Sequence, residues 1–162
     1  MLTSKEAMTG PRPAARAMII DNDLRLLLLK GRDSTVAYSE PWWFTVGGGI
    51  QAGETPLMAI RREAFEETGR RIVDFRSTPF SRTFNFVFEG REYCQQERFY
   101  VARTPSFEPV PSHLSQLEQR SIIGSRWWTL PELLKTDETI FPSQLASWFE
   151  YLIKSSLLTT FE

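Results

Sequence analysis

The chain has 162 residues, 41% of them hydrophobic and 24% charged, which suits one soluble globular domain with a sizeable core. A formal net charge of -1 excludes the global basic field that would hold nucleic acid or an anionic membrane. Cys94 is the only cysteine, so no intrachain disulfide can form. Met1 to Lys5 lacks the apolar run of a signal peptide, and no apolar stretch approaches a membrane span. A cytoplasmic protein is the expectation.

Residues 1–13 hold Gly10, Pro11 and Pro13 without a period and are read as a flexible leader, with a single domain over 14–162. Ala14 to Ile20 and Leu24 to Lys30 are apolar runs around Asp21-Asn22-Asp23, the pattern of two strands and a tight turn. Four leucines in a row, Leu26 to Leu29, predict a strand covered on both faces. Trp42 to Val46 is a third strand, running into Gly47-Gly48-Gly49. Thr55 to Thr68 reads as a helix, with Thr55 as N-cap, Pro56 at the first helical position and Gly69 at the end. Leu57, Ile60 and Ala64 are expected to face the core, with Phe65 at its margin.

Arg82 to Phe88 and Tyr93 to Val101 predict a hairpin around Glu89-Gly90-Arg91, with Phe84, Phe86 and Phe88 on one face. Residues 104–120 are read as a polar loop, 125–130 as a last strand and 142–153 as a closing helix. The fold class is α/β, a sandwich with a mixed sheet between helices.

The most informative segment is GGIQAGETPLMAIRREAFEETG, beginning at Gly48. It carries Gly48, Glu54, Arg62, Glu63, Glu66, Glu67 and Gly69 at fixed offsets. Seven such matches at one start position arise by chance roughly once in 10⁸ at ordinary residue frequencies. At about 100° per residue, Glu63, Glu66 and Glu67 share one arc of the helix. Three like charges so close are unfavourable without a cation, and hard carboxylate oxygens suit Mg²⁺ or Mn²⁺. A solvated acidic face is the plainer alternative for those three alone.

The segment resembles the Nudix box, which spans Gly48 to Arg70 here, and the chain as a whole is expected to be a Nudix-like α/β/α sandwich. The resemblance implies that Glu63, Glu66 and Glu67 bind divalent cations and help activate water, with Gly48 contributing through its backbone. It also implies that Glu54 pairs with Arg62 to hold the loop on the helix. Arg70 departs from the pattern, where an aliphatic residue is usual, and Ile72 is the expected substitute in packing. The implied chemistry is water attack on a phosphorus of a P–O–P bridge, in a Mg²⁺-dependent pyrophosphohydrolase acting on a nucleoside diphosphate linked to another moiety. A nucleoside triphosphate and a nucleotide sugar both fit, and the markers that separate subfamilies are not seen.

Outside the box, Glu97 and Glu118 are the candidates for a further catalytic acid, and pairing with an arginine is the alternative for Glu97. His113 is a weaker candidate in the same loop as Glu118. Trp43, Phe44 and Phe84 are the aromatic candidates for the substrate's base, with Trp42 and Phe86 beside them, and Arg82 for its phosphates. Arg32 and Arg98 are further candidates for phosphate. Two rival readings stay open: a nucleotide-binding sensor of the same fold that does not cleave, and a prenyl diphosphate isomerase, to which Cys94 lends little. No stable nucleic-acid complex and no membrane partner are expected, and a homodimer is left open.

Overall fold

A computed structural model describes residues 10–161. Its first strand, β1 (Arg12–Asp21), begins two residues before the expected Ala14; residues 1–9 of the expected leader lie outside the described residues. β1 turns through Asp21, whose carboxylate accepts from the Asp23 and Arg25 amides, into β2 (Arg25–Gly31). β3 (Trp42–Phe44) pairs with β2, and β4 (Val46–Gly49) pairs with β1. The expected single strand over 42–46 is thus two strands, because the chain changes partner at Thr45.

Gly47 makes that change possible. Its φ is +134°, and a Cβ there would stand 2.2 Å from the Ala15 carbonyl oxygen. Helix α1 (Pro56–Thr68) follows, capped as expected: the Thr55 side chain accepts from the Met58 amide, and Gly69 closes the helix at φ 74°.

The hairpin is longer than expected. β5 (Arg76–Phe88) and β6 (Arg91–Thr104) pair across the Glu89-Gly90 turn, both residues of which have positive φ. Pro79 lies inside β5, and the ladder slips between Ser77 and Ser81, as a residue without an N–H requires. β1 then runs parallel to β6, Ala17 opposite Tyr100, which gives the sheet its mixed character.

The polar stretch 104–120 ends in a short helix, α2 (Gln116–Ser121), where a loop was expected. The missed signal is Ser115-Gln116-Leu117-Glu118, a capping box in which Ser115 and Glu118 satisfy each other's backbone amides. β7 (Ile122–Thr129) starts earlier than expected; α3 (Leu130–Lys135) and β8 (Thr139–Phe141) complete the region, and α4 (Leu145–Lys154) is the closing helix.

The four leucines of β2 divide by alternation between two cores. Leu27 and Leu29 pack with Ala15, Ala17 and Ile19 under Ile60 and Ala64 of α1. Leu26 and Leu28 pack with Met18 and Ile20 under Leu145, Phe149 and Leu152 of α4. Helices therefore cover both faces, the α/β/α arrangement expected. Leu57 corrects one expectation: in the first turn of α1 it is 36% exposed, and Ala59 fills the buried stripe instead. Ile72 is buried in the α1 core, while Arg70 lies over the Phe107 ring. Among the described residues no helix is long and apolar enough to cross a membrane.

Candidate active site

The site is built on the buried side of α1, where it meets β4. Glu67 is 2% exposed and accepts a hydrogen bond of 2.8 Å from the Gly47 amide. Glu63, one turn earlier, lies against Gly48, where an added Cβ would stand 2.7 Å from its carboxylate oxygen. Glycine at 48 leaves the room that carboxylate occupies. Glu54 and Arg62 form the expected pair, joined twice at 2.6 and 3.1 Å, and Arg62 also donates to the Gly49 carbonyl. Through that pair the 49–54 loop is fastened to the helix, and the hydrogen bond from Arg62 holds the Glu54 carboxyl below its ordinary value.

A third acid arrives from the far loop. The Val110 and Ser112 amides donate to the Thr68 and Glu66 carbonyls, docking the loop on the last turn of α1. His113, at φ 55°, stacks on Phe65 at 6.0 Å. This docking delivers α2, and Glu118 offers an oxygen that lies within 4.8 Å of oxygens from Glu63 and Glu67. Glu66 lies outside that trio, hydrogen-bonded to Arg62 at 3.3 Å and facing the same cavity.

Burial pushes the Glu67 carboxyl well above the ordinary carboxylate value, and Glu63 adds to the shift. Burial raises Glu63 as well, with Arg62 opposing and Glu118 reinforcing. Three acids meet at this site, two of them buried, and among the described residues only Glu63 of the three takes an arginine hydrogen bond, from Arg62 at 3.0 Å. That donor set, all carboxylate oxygen around a space opened by Gly48, fits a hard divalent cation.

Glu97 is equally buried but differently placed. Its carboxylate receives hydrogen bonds from Arg16, from Arg82 at 2.6 Å and from Gln95 at 3.0 Å. Burial opposes its ionisation, but the two arginines outweigh it and hold the carboxyl below its ordinary value. Among the described residues Glu97 is not in the trio, and the arginine partnership is the reading the geometry favours over a ligand or base.

The trio opens onto a cavity of about 980 Å³. Phe44 and Phe84 line it, with Trp42, Phe86 and Phe88 beside them and Arg16 and Arg82 among its polar groups. Trp43 corrects an expectation. Strand alternation turns it into the α4 core, edge-on to Trp128 and bonded to Glu138, away from the cavity that its neighbours face. Arg16 is a further residue of the site, and its sequence signal is an arginine inside the apolar run Ala14 to Ile20, a buried cation in need of a partner. It donates to Glu97 and to the Thr45 and Gly47 carbonyls. Cys94 is half-buried in β6.

The model of one family, the NUDIX domain, matches residues 10–149. The "Nucleoside triphosphatase NudI" of Salmonella agona is 33% identical over 85 residues, and that of Escherichia coli O139:H28 is 32% identical over the same length. Each match covers 51% of this chain and 58% of the relative, so the chain spans little more than half of these curated proteins. Among solved structures, a MutT protein from Methanosarcina mazei superposes with a TM-score of 0.62 at 18% identity, covering 91% of this chain and 96% of that one. The dihydroneopterin triphosphate pyrophosphohydrolase of E. coli gives 0.63 at 17% identity, covering 91% and 100%. The NUDIX domain of Shewanella oneidensis NrtR, complexed with ADP ribose, gives 0.65 at 15% identity, covering 94% of each chain. At these identities the structural likeness is one of fold.

Proposed function

We propose, on the premise that this chain belongs to the NUDIX domain family, that it is a Mg²⁺-dependent pyrophosphohydrolase. Its substrate is a nucleoside diphosphate linked to another moiety, of the nucleoside triphosphate or nucleotide-sugar type. The carrying observation is the convergence of Glu63, Glu67 and Glu118 in the wall of an aromatic cavity that also presents arginines. The curated relatives whose names specify nucleoside triphosphates support the substrate class.

In this reading Glu63, Glu67 and Glu118 hold the divalent cation, which could also be Mn²⁺. When bound, the cation neutralises phosphate charge and lowers the pKa of water at the site. Gly47 fixes Glu67 by its amide, and Gly48 admits the Glu63 carboxylate. The Glu66 carboxylate faces the cavity and acts as the base, taking a proton from the attacking water as its oxygen bonds to phosphorus and the P–O bond to the leaving phosphate breaks. Phe44 stacks on the base, Phe84 walls the cavity with its ring between Arg82 and Phe86, and Arg82, anchored on Glu97, meets phosphate oxygens.

The test is phosphate and pyrophosphate release from nucleoside triphosphates, oxidised nucleoside triphosphates, nucleotide sugars, dinucleoside polyphosphates and ADP-ribose, with Mg²⁺ or Mn²⁺. Turnover of at least one class, abolished by exhaustive chelation, is the expected result. Turnover that survives chelation would sink the metal role. Binding without turnover across the set, in folded protein with Mn²⁺ bound, would favour the sensor reading.

A further inference from the structure

Of the acids in the proposed metal site, Glu118 alone is not carried by α1. It stands on α2, a helix of six residues, too short to hold its own position by internal hydrogen bonds. What holds α2 in place therefore decides whether Glu118 reaches Glu63 and Glu67.

One tether is Glu89, at the tip of the β5–β6 hairpin. Its carboxylate takes both arms of the Arg120 guanidinium, at 3.0 Å and 2.7 Å, two residues beyond Glu118. The grip is fixed from the other side: Ser34 donates to the same carboxylate at 3.3 Å, and the Glu89 amide donates to Asp33 at 3.0 Å. The Glu89 side chain is 12% exposed, whereas that of Arg120 is 50% exposed. An isolated surface pair of this kind stabilises little, but a planar two-point contact sets orientation. Next to Glu89, Phe88 lies edge-on to Trp42 at 6.1 Å, so the same tip belongs to the aromatic wall of the cavity.

We propose that Glu89 is a positioning residue for the metal site: through Arg120 it sets the place of α2 and keeps the Glu118 carboxylate with Glu63 and Glu67. This rests on the metal site proposed above. Glu89 itself touches neither cation nor substrate; it acts through Arg120 on Glu118. The hairpin tip thereby links the wall that receives the substrate to an acid that holds the cation.

Mn²⁺ binding to the full chain, followed by the electron paramagnetic resonance of the free ion, tests this without reference to turnover. Glu89→Gln is expected to weaken Mn²⁺ binding about 10-fold, the lower end of what partners outside the ligand set contribute. Glu118→Gln should weaken it at least as much, and the double variant no more than Glu118→Gln alone. Arg120→Gln should reproduce the loss, and Glu89→Arg combined with Arg120→Glu should return most of it. In metal-free protein, amide exchange over residues 116–121 should quicken in Glu89→Gln while α1 is unchanged. Unaltered Mn²⁺ affinity in Glu89→Gln, or a full further loss when it is added to Glu118→Gln, would overturn the proposal. If the wild-type chain binds no Mn²⁺, the metal reading falls with it. If wild-type binds and only Glu118→Gln weakens the affinity, this inference alone is wrong.

Discussion

Glu67 and Glu97 are both almost wholly buried and are linked through Gly47, whose amide donates to Glu67 and whose carbonyl accepts from the Arg16 that also grips Glu97. Burial alone does not tell them apart. Glu97 collects donors from Arg16, Arg82 and Gln95, so its charge is matched within the protein. Glu67 receives the Gly47 amide and faces Glu63, so its charge is not. The arginine that could have neutralised Glu67 gives its hydrogen bonds to Glu97 and to backbone carbonyls instead. A buried acid with its charge matched is a structural brace. A buried acid left short of positive charge is the one that the proposed cation would neutralise.

Exchanging each carboxylate for its amide breaks this comparison most directly. Glu67→Gln keeps the acceptor for the Gly47 amide while removing the charge. Turnover of whichever substrate the release assay identifies should fall about 10²-fold or more, since a bound cation is worth several kcal/mol at the transition state. The metal-free protein should at the same time melt higher, because a desolvated charge has gone. Near-normal turnover in folded Glu67→Gln would remove this residue from the machinery.

Glu97→Gln should do the reverse. It leaves Arg16 and Arg82 without their carboxylate, and breaking a buried pair from one side costs about 3 kcal/mol, read as a lower urea midpoint. Any fall in activity should follow from Arg82 losing its anchor and from Arg16 losing its hold on the Gly47 carbonyl, and so from a displaced Glu67. An unchanged midpoint with abolished Mn²⁺ binding would instead make Glu97 a ligand.

Most of α1 was legible in the sequence because its signals are local: Thr55 and Gly69 cap it, and the acids recur at its period. Glu118 was legible only as a loop acid. What brings it to Glu63 is the docking of Val110 and Ser112 on α1 carbonyls, backbone contacts that no side-chain pattern announces. Trp42 and Trp43 illustrate a narrower limit. Alternation states that they face opposite ways, but which face holds the cavity depends on where β5 and α4 pack, and that is set far along the chain. Arg16 and Glu97 were each readable as buried charges in need of partners, while their pairing rests on the parallel register of β1 against β6, which a sequence pattern does not give.

The smallest effect sharpens the same contrast by titration. Between the ordinary carboxylate range and the raised Glu67 value, the unfolded chain has released its proton while native Glu67 retains one. The native state then binds more protons, so stability of the metal-free protein falls as pH rises, by about 1.4 kcal/mol per unit for one proton. Glu63, raised in the same direction, titrates with it as a pair. For Glu97 the sign reverses. Its folded value lies below the ordinary one, so the stability it contributes is present above that range and is lost as pH drops towards the folded value. Urea midpoints taken across pH in a chelator should therefore decline at both ends. Glu67→Gln should flatten the upper limb and Glu97→Gln the lower one. Saturating Mg²⁺ should also abolish the upper limb, since the cation binds the deprotonated acids. An upper limb untouched by both Glu67→Gln and Mg²⁺ would mean that the charge at Glu67 is already matched, and that the two acids are braces alike.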